Sequence, residues 1–432
     1  MTRADAAPTR GRWAELFLLP LPVLFLALGM QILSLTRPDL IRGPAAAPAI
    51  LVAFLLLSSH LILRWKAPGA DQMLMPIAAM LVAVGLVVVG RLAPDLASRQ
   101  LVWVCIGFAL MWGVVALLPS VRALQPYKYS SALLGILLVG TTFVFGTDPN
   151  QSGVRSWLAL GGINFQPSEI LKLLLVVFLA GYLEDKRELL TWSSSAIGWL
   201  RLPPLPYLGP LMVMWVISMS TLVAQRDIGA ALLFFCIFLA MLYVASGRAA
   251  YLWGGLAAFV AGAFLCYLLF PHVRLRVEIW LDPWSTAKTH GYQVVQALVA
   301  LASGGILGSG LGQGHPGFIP AVQTDFVIAA IGEEMGLAGS LAVVALFILL
   351  IYRGFRIALS ARDDFSTLLA TGLTSVVGIQ AIVILAGTTK LIPLTGITLP
   401  FVSYGGSSII TNFLLMGLLL RLSAENGRTD EG

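Results

Sequence analysis

Apolar stretches of roughly 20 residues recur from Trp13 almost to the C-terminus, and each is long enough to cross the hydrocarbon core of a bilayer as a helix. Of the 432 residues, 58% are hydrophobic and 11% charged, more apolar surface than the core of a soluble domain takes up. Lipid is therefore the solvent. The pattern predicts an all-α, polytopic transmembrane helix bundle of about 12 spans, at 13–33, 46–64, 73–90, 100–118, 130–146, 167–183, 204–223, 229–246, 249–270, 325–351, 366–389 and 399–420. The first stretch follows a tail carrying Arg3, Arg10 and Arg12 and is too long for the apolar region of a signal peptide, so it reads as a retained helix.

The net charge of +6 is spread between apolar segments and forms no single basic patch, so nucleic acid is not the expected partner. Topology accounts for it. With the N-terminus inside, the larger share of Lys and Arg falls on cytoplasmic ends, among them Arg64, Lys66, Arg122, Lys128, Lys186, Arg187, Arg353 and Arg356, which places both termini in the cytoplasm. Cys105, Cys236 and Cys266 lie inside apolar runs, and His60, His272, His290 and His315 have no metal-ligand spacing with them, so neither a disulfide nor a zinc site is expected.

Two connections on the outer side are longer than the rest, about Thr147–Gln166 and Pro271–Thr324, and long ordered connections usually carry function. The second contains Trp280-Leu281-Asp282-Pro283-Trp284. A carboxylate between two tryptophans and a proline is expected to be stiffly held and partly desolvated, which raises its pKa toward general-base duty; the alternative is a turn residue among interfacial aromatic anchors. Gly312-Gln313-Gly314-His315-Pro316-Gly317 formally matches a dinucleotide fingerprint, but no strand precedes it, and a flexible loop is the expectation. The absence of a P-loop, a zincin helix or a serine-nucleophile elbow argues against an ATP-driven pump and a membrane protease.

Within the spans, Glu169 and Lys172 sit three residues apart behind Gln166-Pro167-Ser168 and can pair on one helix face. Each charge costs about 2.5–3.5 kcal/mol at the bilayer centre, so the pair is expected either to face a polar cavity near the outer surface or to fix helix packing. Glu333 and Glu334 point about 100° apart on a helix and cannot act as one paired site. Asp325 is placed to cap the helix that follows it. Arg155, Arg274, Arg276 and Lys390 lie in outer connections, suited to a phosphate or pyrophosphate group or equally to lipid headgroups. Pro400 to Ser408, which includes Ser403, is rich in small and hydroxyl residues fit for tight packing or for lining a groove.

Gly153-Val154-Arg155-Ser156-Trp157, Gln166-Pro167-Ser168-Glu169 with Lys172, Gln225-Arg226-Asp227-Ile228-Gly229, Asp282-Pro283 with Gly291-Tyr292-Gln293, Thr324-Asp325-Phe326 with Gly332-Glu333-Glu334-Met335-Gly336, and Pro400 to Ser408 together resemble the SEDS family of shape, elongation, division and sporulation proteins. The resemblance covers about Gly153 to Arg421. It implies a peptidoglycan glycosyltransferase that polymerises lipid II, the undecaprenyl-pyrophosphate-linked disaccharide-pentapeptide, at the outer face of the cytoplasmic membrane beside a class B penicillin-binding protein. By resemblance Asp282 matches the essential extracellular aspartate, and Trp157, Glu169 and Lys172 match positions of the substrate cavity. The implied reaction is an inverting glycosyl transfer with Asp282 as base. The residues offer no dedicated metal-ligand cluster, and pyrophosphate chemistry leaves room for a divalent cation, Mg or Mn, as cofactor. Rival readings are a lipid II flippase and a non-catalytic scaffold for the penicillin-binding protein.

The chain departs from the family pattern in two places. Residues 1–72 form a tail and two helices added before the family-like core of 73–422 and a tail of 423–432, and the arginine usual after Arg155 is Ser156. The 276–283 and 308–325 segments look more like the elongation branch than the division branch.

Overall fold

The computed structural model describes residues 11–40, 43–148, 156–161, 163–191, 195–197, 200–202 and 227–427. Its helices are α1 (Trp13–Leu18), α2 (Pro20–Thr36), α3 (Ala47–Lys66), α4 (Leu74–Leu92), α5 (Pro94–Leu117), α6 (Lys128–Phe145), α7 (Pro167–Thr191), α8 (Ile228–Ser246), α9 (Ala249–Leu269), α10 (Pro271–Leu281), α11 (Tyr292–Ser303), α12 (Val327–Leu359), α13 (Asp364–Thr388) and α14 (Gly406–Gly427). Ten helical segments among the described residues are long and apolar enough to cross a membrane, and each coincides with an expected span. The stretch expected at 167–183 is also helical, as α7, but is set apart by Glu169, Lys172 and Glu184. The span expected at 204–223 lies outside the described residues.

Two boundaries differ for local reasons. The last helix begins at Gly406, not near 399, because Leu399–Val402 forms a turn in which Phe401 takes φ 64°. That turn presses on α4, where a side chain at Gly85 would meet the Val402 carbonyl oxygen at 2.6 Å. The long connection after α9 is not a bare loop, since it contains α10 and α11. The first outer connection folds into an antiparallel sheet of Gly146–Thr147, Trp157–Leu160 and Ile163–Phe165, with Leu158 opposite Phe165. A second two-stranded sheet pairs Ser195–Ile197 with Leu200–Leu202.

The core of the bundle is made of α4, α13 and α14, most of whose residues are buried. Helix α14 packs along α5, α6 along α7, and α13 against α12, α7 and α8. Side chains of α9 point largely away from protein, as suits a lipid-facing helix. The two added helices join the core through α2 on α4 and α3 on α5. At one end of this addition Arg12 donates to the Ala70 carbonyl at 2.7 Å and pairs with Glu15, which also meets His60 Nδ1 at 2.9 Å, all three buried. At its other end Arg37 Nε donates to the Gly312 carbonyl at 3.2 Å.

Helix α12 is broken at Gly336, which has φ 68° and ψ −169°. The glycine run after α11 fills the break. Ser309 and Gly310 N–H donate to the Glu333 and Glu334 carbonyls at 2.9 and 3.0 Å, and Leu337 and Ala338 N–H donate to the Gly305 and Ile306 carbonyls at 2.9 and 3.0 Å. The carboxylate of Glu334 accepts from Arg91 Nε at 2.9 Å and Gly312 N at 3.0 Å, while Glu333 accepts from His315 N at 2.7 Å. The flexible loop expected here is therefore a close-packed one, because a helix broken within apolar surroundings must have its freed carbonyls and N–H groups met by other protein.

The starts of α13 and α8 are capped by acids. Asp363 accepts from Ser366 N at 3.0 Å at the start of α13, and Asp227 accepts from Ala230 N at 3.0 Å at the start of α8. Replacing Asp363 by Ala is expected to cost about 1 kcal/mol, read as a small fall in the thermal midpoint of the detergent-solubilised protein.

Candidate functional site

One end of the bundle gathers the first turns of α5, α7, α8 and α14, the residues just before α12, and the connection that follows α13. Between them lies a cavity of about 780 Å³. Helix starts carry unpaired N–H groups and the positive end of the helix dipole, so their convergence favours an anion before any side chain is counted. Lys172, Arg99 and Arg276 then add cationic side chains to the lining, and Glu169, Asp227 and Asp325 add carboxylates.

Lys172 is 1% exposed. Its ammonium meets Glu169 at 2.6 Å and donates to Gln380 Oε1 at 2.9 Å. The cation is thus held between α7 and α13, and the Gln380 amide in turn donates to the Thr398 carbonyl at 2.8 Å, tying α13 to the segment leading to α14. The pair expected from spacing is present, and it faces the cavity. Trp157, carried by the small sheet, lines the same space.

Arg276 projects from α10 into the cavity and donates through NH1 to the Leu394 carbonyl at 2.9 Å. Desolvation lowers its pKa from the usual arginine value, opposed by the charges of Asp227 and Asp325. Asp227 also accepts from Gln166 Nε2 at 3.4 Å; burial raises its pKa, with the cap bond from Ala230 pulling the other way. Asp325 does not cap α12. The cap position is Phe326, which makes no side-chain cap bond, and the Asp325 carboxylate lines the cavity instead. Its pKa is raised from 3.8 to about 6 by desolvation, against the opposing effects of the Thr324 hydrogen bond and the Arg276 charge.

Asp282 stands elsewhere. It closes α10, six residues and so about 9 Å along the axis from Arg276, and is not among the cavity residues. The carboxylate is exposed and its Oδ1 accepts from Trp284 N at 3.1 Å and Ser285 N at 3.4 Å. The desolvation expected from the flanking tryptophans is absent: Trp284 is itself 59% exposed, and Trp280 turns to donate to the Lys390 carbonyl at 3.0 Å. The same arrangement takes Lys390 away from the cavity, its Nζ donating to the Leu281 carbonyl at 3.3 Å.

Arg274 is exposed on the far face of α10, over the Tyr267 ring at 5.6 Å. Ser403 is buried and does not line the cavity; its Oγ donates to the Thr324 carbonyl at 2.6 Å and accepts from Leu399 N at 2.9 Å, tying the turn before α14 to the segment before α12. Arg155 lies outside the described residues. The structure thus brings Trp157, Glu169, Lys172 and Arg276 together and leaves Asp282, Arg274, Lys390 and Ser403 out of the cavity wall.

Sequence reasoning missed Arg99, Asp227, Asp325 and Gln380 as parts of this wall. Asp227 and Asp325 each precede an apolar run, which reads as capping, and Gln380 was a lone amide inside a span. A buried amide within a span was the one available signal, since polar groups there usually line a cavity or pair with one another. Among the described residues, no three His, Cys, Asp or Glu side chains come together in a way that would hold a metal ion.

A multispan helical bundle with a charged cavity at one end, walled by helix starts, defines an integral membrane protein built to handle a polar group at the membrane surface. The chain belongs to the FtsW/RodA/SpoVE family of cell cycle proteins, whose model matches residues 71–428. It is 39% identical to the peptidoglycan glycosyltransferase RodA of Mycobacterium leprae over 98% of this chain and 92% of that one. It superposes on a chain of a peptidoglycan synthase complex, solved for its coordination of polymerisation and crosslinking, with a TM-score of 0.69 and 30% identity over 83% of this chain and 98% of that one. The crystal structure of the Thermus thermophilus rod shape determining protein RodA matches with a TM-score of 0.59 and 27% identity over 84% of this chain and 99% of that one.

Proposed function

We propose that this protein is a peptidoglycan glycosyltransferase of the RodA type, which polymerises lipid II at the outer face of the cytoplasmic membrane together with a class B penicillin-binding protein. The observation that carries the reading is the cavity, where Lys172, Arg276, Arg99 and several helix starts face one space in a chain of this family. Such a lining suits the diphosphate of a lipid-linked sugar. The distribution of Lys and Arg supports both termini in the cytoplasm and the cavity at the outer surface.

In this reading the acceptor sugar hydroxyl attacks the anomeric carbon of the donor, the bond to the diphosphate oxygen breaks, and its electron pair leaves with undecaprenyl pyrophosphate. The cationic wall steadies that charge. Asp282, exposed at the end of the helix that sends Arg276 into the cavity, takes the hydroxyl proton. No step is routed through a metal; chelation that slowed the purified enzyme would instead assign a divalent cation to the diphosphate itself.

The test is polymerisation of purified lipid II by the detergent-solubilised protein with its partner, the partner's transpeptidase being blocked. Glycan strands support the reading. Headgroup translocation in liposomes without polymer would replace it with a flippase. In the same assay Lys172→Gln is expected to raise KM for lipid II about 10–100-fold, the worth of a charge-assisted contact.

A further inference from the structure

Three carboxylates line the cavity, and they are not equivalent. Glu169 is neutralised by Lys172 at 2.6 Å. Asp227 is engaged by the Ala230 N–H and the Gln166 amide. Asp325 has no cation within salt-bridge distance among the described residues, because Arg276, the cation whose charge bears on it, spends its NH1 on the Leu394 carbonyl. The other charged and titratable groups that line the cavity are Arg276 from α10, Asp227 before α8, Glu169 and Lys172 from α7, Arg99 from α5 and Tyr404 before α14.

A diphosphate entering this space brings negative charge toward a half-buried carboxylate that lacks a close counter-ion. Like charges in a poorly solvated site cannot both persist cheaply, and the weaker acid takes up a proton. We infer that Asp325 is the proton-linked residue of the cavity, which is protonated when the lipid-linked diphosphate binds and ionises again when the diphosphate leaves. This rests on the function proposed above, since that reading supplies the diphosphate. Asp325 already lies near the threshold, with a pKa raised to about 6 by desolvation, so a further rise on binding falls in the physiological range.

The sign follows from linkage. A carboxyl group whose pKa is higher in the complex than in the free protein makes binding strongest in acid, with affinity falling as pH rises from the free value toward the bound value. For one proton the fall is about tenfold per pH unit.

The experiment titrates full-length protein with lipid II, whose diphosphate is esterified at both ends and has no proton to lose near neutrality, at several pH values between about 5.5 and 8.5. Wild type is expected to lose affinity about tenfold per unit above about pH 6. Asp325→Asn, which imitates the protonated side chain, is expected to show no such slope and to bind about 100-fold more tightly than wild type near pH 8. A merely structural role would weaken binding at every pH, and that result would overturn the inference. Asp227→Asn, which retains the helix cap, is expected to keep the wild-type slope; loss of the slope there and not in Asp325→Asn would also overturn it. Binding of lipid II with no pH slope in wild type sinks the inference and leaves the proposed function standing, whereas failure of wild type to bind lipid II at any pH sinks both.

Discussion

Asp282→Asn is expected to bind lipid II as wild type does while its polymerisation rate falls by about 10²–10⁴-fold, the usual contribution of a general base. The structure makes this substitution unusually clean. Oδ1 of Asp282 serves the turn after α10 by accepting from Trp284 and Ser285, and an asparagine oxygen accepts the same bonds. The side chain is exposed, so no buried charge is lost and no cavity is created. What disappears is the ability to take a proton. Strand synthesis from labelled lipid II, with binding measured on the same preparation, separates the two effects. Undiminished polymerisation would remove Asp282 as the base and turn attention to the carboxylates inside the cavity.

Gly336→Ala is expected to be the most damaging of the small substitutions for stability. Its φ of 68° and ψ of −169° fall in a region that essentially only glycine occupies, where another residue is strained by about 1–3 kcal/mol. An added Cβ would also lie 2.3 Å from Gly308 N and 2.4 Å from the Ile306 carbonyl oxygen, both backbone, and overpacking of this kind costs about 1–3 kcal/mol more. The two effects act at the point where the glycine run is hydrogen-bonded into the break of α12. Gly140→Ala on α6 is the matched control: nothing lies within 4 Å of its added carbon. Thermal unfolding in detergent is expected to show a clear fall for Gly336→Ala and little change for Gly140→Ala. Equal behaviour of the two would mean that α12 does not need its break.

Much of the architecture was legible because a spanning helix is a local object. The composition of 20 or so consecutive residues decides whether a segment prefers lipid, and inside lipid the helix meets its own backbone hydrogen bonds. Ten expected spans met helices for that reason. The Glu169–Lys172 pair was legible on the same grounds, since helical geometry alone puts residues three apart on one face.

The cavity wall is different in kind. Lys172 is completed by Gln380, 208 residues away, and Arg276 by Leu394, 118 residues away. No local pattern encodes those meetings. The same limit applies to Asp282 and Asp325: flanking aromatic residues suggest desolvation for the one, against the alternative of a turn residue that its bonds from Trp284 and Ser285 N–H support, and a following apolar run suggests a cap for the other. Desolvation depends on what surrounds a side chain in space, and Trp280 turns aside to Lys390 while Asp325 is enclosed by elements drawn from α5 to α14. By itself the sequence determined that this is a multispan membrane bundle, where most of its helices run, and which family its motifs belong to. Only the tertiary structure decided which charged groups share a cavity, because the energy of a charge depends on neighbours that folding brings together from distant parts of the chain.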